Sequence, residues 1–227
     1  MTDALTSRPG VAPTDALSGG IRLQSLILTL WLAIAGQGLA LLIVLFVFGF
    51  DFPFVACAAV VIASVVLNIA ATAAFPASKR LSDRAAVLYL AFDIVQLSTL
   101  LLLTGGLHNP FCILILAPVA VSASSLSGRS TLLLVGLALA CVSGLGLLSL
   151  SLPWIPGESF VIPLMYQVGI WSALVLGIVF TAAYGWRIAF ETRAMSEALT
   201  ATRFVLAREQ RLSAVGGLAA AAAHELG

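Results

Sequence analysis

The chain has 227 residues, of which 61% are apolar and only 9% charged, and a mean hydropathy of +1.11. A soluble domain carries about a quarter charged residues, so that class is excluded and the sequence reads as an integral membrane protein. The net charge of +1 leaves no concentrated basic surface, which excludes nucleic acid as a main partner.

Residues 1–25 begin with Pro9, Gly10, Pro13, Gly19 and Gly20 among scattered Ser, Thr and Asp, without apolar periodicity, and read as a cytoplasmic tail. Six apolar runs follow, at 26–48, 54–75, 85–104, 111–126, 131–152 and 161–186. Most are near the ~20 residues that a spanning helix needs; the fourth is the shortest. The first is too long for the core of a secretory signal and is expected to stay in the membrane as an anchor. The expected fold is therefore all-α: a six-helix transmembrane bundle over 26–186, then a cytoplasmic helix over 187–227. The short connections predict that sequential helices pack as antiparallel neighbours.

The charges orient the bundle. All 11 lysines and arginines, from Arg8 and Arg22 through Lys79, Arg80, Arg84 and Arg129 to the five beyond Trp186, fall in the tails and the even-numbered loops. The first, third and fifth connections hold only Asp51, His108 and Glu158. By the positive-inside rule both termini are expected in the cytoplasm of a bacterial inner membrane.

Within the spans Asp93 is the only residue with an acidic or basic side chain, the cysteines and tyrosines aside. It lies ~16 Å below the third connection, near the midplane, where an acid faces a partner or a wet cavity. Asn68 and Gln37 fall at similar depth, and Gln96 shares the face of Asp93. These residues read either as a polar clamp between helices or as a midplane binding site. Gly136, Ala140, Gly144 and Gly146 on the fifth helix fit close helix packing. Cys57, Cys112 and Cys141 lie in apolar runs and read as small core or lipid-facing side chains. No metal site is expected.

Beyond Trp186 the sequence turns polar while avoiding Pro and Gly up to Gln210, as a helix leaving the membrane would. Leu212, Val215, Ala219, Ala222 and Leu226 recur at spacings of 3 and 4, the seam of a helix that packs on a partner helix. His224 points roughly 160° from that seam. An exposed imidazole followed by Glu225 suits phosphoryl acceptance, with the carboxylate orienting the ring. The stretch from Gly217 to Gly227 resembles the H-box of sensor histidine kinases. The chain ends inside that motif, so the ATP-binding domain, with its ATP and Mg, is expected to be missing and the fragment to be inactive alone.

Between the third and fourth runs lies Gly105-Gly106-Leu107-His108-Asn109-Pro110-Phe111. Gly105 and Gly106 open backbone conformations closed to other residues, and Asn109 with Pro110 suits a helix start. Read alone, the segment is either a capping turn or a ligand site. The motif Gly-Gly-x-x-Asn-Pro-Phe in this position resembles the RegB/PrrB branch of redox-sensing histidine kinases. The resemblance implies that Gly105, Gly106, Asn109, Pro110 and Phe111 bind ubiquinone as a signal, and it implies a homodimer and a cognate response regulator. His108 occupies an unspecified position of the motif and is added on its chemistry, as a second donor beside the Asn109 amide. Trp154 and Glu158 read as an interfacial aromatic anchor and a solvated acid, or as a cover for the site if the first and last helices close the bundle. The family's redox-active cysteine lies beyond Gly227, so none of the three cysteines here inherits that role. Two other readings remain: a kinase with a different membrane signal, and a small transporter using Asp93, Asn68 and Gln37 at the midplane.

Overall fold

A computed structural model describes residues 23–74, 81–148 and 162–226, with side chains from Ile27 to Gln210. Every regular element among them is helical. The order is α1 (Leu23–Ile43), continued by a π-helical turn (Val44–Phe48), then α2 (Phe54–Ala74), α3 (Asp83–Leu103), two 3-10 segments (Gly106–His108 and Pro110–Ile115), α4 (Leu116–Ser125), α5 (Gly128–Leu147) and α6 (Leu164–Leu226).

Five of these helices are long and apolar enough to cross a membrane. Their outward side chains, such as Leu32, Val55, Leu88, Leu132 and Leu176, are at least 70% exposed. In water such a surface would be an aggregation patch; against lipid tails it costs nothing. The fourth apolar run falls short of that length as an α-helix and is a composite. Pro118 has no amide hydrogen and its ring crowds the carbonyl four residues back, and the six residues Pro110–Ile115 before α4 wind as a 3-10 helix.

The core has two sectors. Ile94, Leu101, Ile115, Val119, Leu134, Val142 and Ile178 are buried together where α3, α4, α5 and α6 meet. α1 and α2 pair and lean on α3 through a smaller cluster, Leu41, Cys57 and Leu100. The expected neighbours along the chain do pack together, but the strongest pairings of the second sector skip one element: α4 lies along α6, and α3 along α5.

Glycine placement meets the expectation for α5 only at Gly146. A Cβ added at Gly136 or Gly144 would meet nothing within 4 Å, and Gly136 and Ala140 share an exposed face. On α5 it is Gly146 that is closely approached, a Cβ there lying 3.2 Å from Leu107, and the tightest approach falls on α6, where a Cβ at Gly185 would lie only 2.9 Å from the Cβ of Ala123. At the same end of the bundle the Asp83 carboxylate accepts from Ser127 N at 3.2 Å, from Ser127 Oγ at 2.7 Å and from Ser130 Oγ, tying α3 to the α4–α5 turn.

α6 runs through 63 residues without interruption, about 95 Å at 1.5 Å per residue. Its last turns carry His224 and Glu225, whose side chains lie outside the described residues, as do Lys79, Arg80, Trp154 and Glu158. Because Ala123 is backbone-fixed and cannot rotate away, Gly185→Ala is expected to destabilise the α4–α6 contact by about 1–3 kcal/mol. Denaturant unfolding in detergent tests this, with Gly136→Ala as a control expected to lie within about 0.5 kcal/mol of wild type.

Candidate ligand site

The loop between α3 and α4 is a break in a greasy chain, so each backbone polar group there needs a partner from the protein. Gly105 (φ 108°) and Gly106 (φ 58°) take left-handed conformations that L side chains rarely adopt, and they turn the chain out of α3. His108 N and Asn109 N then donate to the carbonyls of Gly105 and Gly106 at 3.0 and 3.2 Å. The Asn109 side chain closes the break. Its Oδ1 accepts from Phe111 N at 2.9 Å, capping the next helix, while its Nδ2 donates to Thr104 O at 3.1 Å and to Thr104 Oγ1 at 2.8 Å. Pro110 takes the first helical position, where a missing N–H leaves no orphan.

Beside this loop lies a cleft of about 290 Å³, at the small end of the range for ligand pockets. One wall is the motif itself, Asn109, Pro110 and Phe111 with Thr104 of α3. The opposite wall is the far end of α1 and the α1–α2 turn, with Phe48, Phe50 and Phe52. The rings of Phe48 and Phe50 stack at 5.3 Å, and Phe111 is 49% exposed at the mouth. The π-helical turn ends at Gly49, whose left-handed backbone (φ 61°) turns the chain toward this face. The floor is Gln37. Flat aromatic walls with a few polar groups suit a planar, mostly apolar molecule.

The loop's other face does something different. Leu107 is 2% exposed and belongs to the main core. A Cβ at Gly146 would lie 3.2 Å from its Cδ1, and Gly146 O accepts from Gln167 Nε2 of α6 at 2.9 Å. One residue on, His108 has its Nε2 buried without a hydrogen-bond partner, and it does not line the cleft. The motif thus presents Asn109 to Phe111 to the cleft and Leu107 to α5 and α6.

The midplane polar residues are drawn together only in part. Gln37 and Gln96 form a reciprocal amide pair between α1 and α3, at 3.4 and 3.0 Å. Asn68 donates to Ile27 O of α1 at 3.4 Å and leaves its Oδ1 without a partner. Asp93, half-buried, has no hydrogen-bond or ion-pair partner among the described residues. These contacts clamp α1 to α2 and α3. They do not assemble a common site.

Sequence reasoning passed over Thr104, Leu107, the Gln37–Gln96 pairing and the aromatic wall. The last had a signal in Phe46, Phe48, Phe50, Phe52 and Phe54, an aromatic at every second position of the α1–α2 connection.

Searches against protein-family models and against solved structures return no match. Among curated proteins the chain is similar to the sensor histidine kinase RegB of Cereibacter sphaeroides, 44% identical over 218 residues, which is 96% of this chain and 47% of the relative. A RegB sequence from a defined strain of that species matches with the same identity and coverage. Over the stretch it covers, this chain is similar to RegB. It spans about half the length of those relatives.

In this chain Asn109 makes three side-chain hydrogen bonds, all of them internal. Asn109→Ala is expected to loosen the loop by about 1–3 kcal/mol. Hydrogen exchange in detergent measures it: the amides of Phe111 and Cys112 exchange faster while those of α5 stay unchanged. Unaltered exchange at Phe111 would refute the capping role.

Proposed function

We propose that the chain is the membrane sensor module of a homodimeric two-component histidine kinase that responds to redox state by binding ubiquinone in the cleft beside the loop. The observation that carries this reading is the cleft itself: Asn109, Pro110 and Phe111 of the motif face Phe48, Phe50 and Phe52 across a cavity of about 290 Å³, in a chain 44% identical to a RegB kinase. A quinone head group is planar with two carbonyl acceptors, and the cleft offers aromatic faces and an amide floor.

Six spans agree with the geometry of the fourth segment. Its six 3-10 and ten α residues reach about 27 Å at about 2.0 and 1.5 Å per residue, close to the ~30 Å of a hydrocarbon core. With six spans and the arginine distribution, the loop faces the outside and both termini the cytoplasm.

The output follows from α6. Its helix carries the signal from the level of the loop to His224, which accepts the γ-phosphoryl group from ATP held with Mg in the remainder of the kinase. A ring nitrogen attacks phosphorus as the bond to ADP breaks, Glu225 holds the other ring N–H, and the phosphoryl group passes to a response regulator. Signalling requires that the ligand favour one packing of the bundle over another, typically by ~1–3 kcal/mol. The 3-10 turn sits where it can couple the two: a ligand against Phe111 displaces the loop, and Leu107 transmits the displacement to Gly146 and Gln167.

Two substitutions in the full-length kinase separate binding from transmission. Phe111→Ala is expected to lose the response of autophosphorylation to added oxidised ubiquinone together with quinone binding. Leu107→Ala is expected to keep binding within about threefold while losing most of the response. Autophosphorylation in proteoliposomes with and without quinone reads both, and a wild-type response in Phe111→Ala refutes the site.

A further inference from the structure

We infer that Gln37 of α1 donates the hydrogen bond that holds a ligand carbonyl in the cleft, and that Asn109 of the loop motif is a positioning residue that keeps the wall in place. This rests on the quinone reading above and names the donor within it.

The inference comes from counting hydrogens. Three polar side chains line the cleft: Gln37, Thr104 and Asn109. Both Nδ2 hydrogens of Asn109 are donated to Thr104, one to its carbonyl and one to its hydroxyl oxygen. The single hydroxyl hydrogen of Thr104 is donated to Leu100 O at 2.8 Å. Neither side chain has a hydrogen left to give without dismantling the loop. Gln37 does. A reciprocal amide pair uses one N–H and one oxygen lone pair of each partner, so Gln37 keeps a second N–H and Gln96 keeps the same. Gln96 is only 5% exposed and does not line the cleft; Gln37 does line it. Its amide is therefore the side-chain donor able to meet a carbonyl oxygen at the floor.

The pair also orients the donor. Gln96 holds the Gln37 amide plane through two bonds, so the remaining N–H is aimed before the ligand arrives and little rotamer entropy is lost on binding. Phe48, Phe50 and Phe111 then enclose the ring around a fixed polar point. The ligand class this fits is a planar ring bearing a carbonyl acceptor at its edge.

The test uses the purified chain in lipid nanodiscs, titrated with a short-chain ubiquinone, with infrared detection of the ring carbonyls. Gln37→Met keeps side-chain length and removes the donor; affinity is expected to fall roughly tenfold and the carbonyl stretch to rise toward its value in hydrocarbon. Gln96→Met leaves the donor in place and is expected to bind within about threefold of wild type. Wild-type affinity in Gln37→Met, or equal losses in the two variants, overturns the donor assignment and leaves the quinone site standing. Absence of binding by the wild-type chain overturns both. Should Gln37→Met not fold, the wild-type complex decides alone: a carbonyl stretch below the hydrocarbon value supports a donor in the cleft, and a stretch equal to it overturns the assignment.

Discussion

The structure depends on a problem of backbone satisfaction: α3 must end and the chain must turn back within an apolar bundle, where an unpaired N–H or C=O costs several kcal/mol. The Asn109 side chain solves it with a carboxamide that has acceptor and donors on one small plane. Facing forward, its oxygen takes the first free amide of the next helix; facing back, its nitrogen takes the last oxygens of α3. An aspartate offers no donor and a serine too few. With the break sealed on itself, the loop becomes a firm ridge, and a ridge can carry different groups on its two slopes.

That division of labour organises the rest. The slope toward α1 is open, aromatic and shallow, whereas the slope toward α5 and α6 is a core contact made by Leu107. A ligand on the first slope touches nothing of α6 directly. The segment Gly106–His108 is a single 3-10 turn, tight and short, so its two faces cannot move independently. The same logic accounts for the two sectors of the core, in which α1 and α2 form a lighter flap held by Leu41, Cys57, Leu100 and a pair of amides, and α3 to α6 form the heavier body.

Much of this was legible in the amino-acid order. Apolar length and the absence of breakers gave the helices, and Asn109-Pro110 announced a helix start. The continuity of α6 followed from the lack of Pro and Gly between Trp186 and Gln210. What escaped was what three-dimensional neighbours decide. Gly136 and Gly144 look like packing glycines on paper, yet a Cβ on either would meet nothing, and the tightest approach falls to Gly185 because α4 lies along α6. Nothing in local sequence shows that pairing, since α4 and α6 are separated by a whole helix. Gln37 and Gln96 are 59 residues apart and each alone reads as a polar blemish. Only their meeting explains both, and it leaves Asp93, the acid within the spans, outside the pair.

The close contact of Gly185 with Ala123 has one more consequence, in leverage. It lies 21 residues from the start of α6 and 39 residues before His224, or about 32 and 59 Å along a straight helix. Among the described residues this is the tightest approach that α6 makes at a glycine, which marks it as a fulcrum. A straight rod pivoting there has a short arm toward the loop and a long arm along the polar stretch beyond Trp186, so a sideways shift of about 1 Å at Gln167 becomes about 2 Å at the far end. The ångström-scale adjustments available to a packed bundle are thereby enlarged by geometry alone.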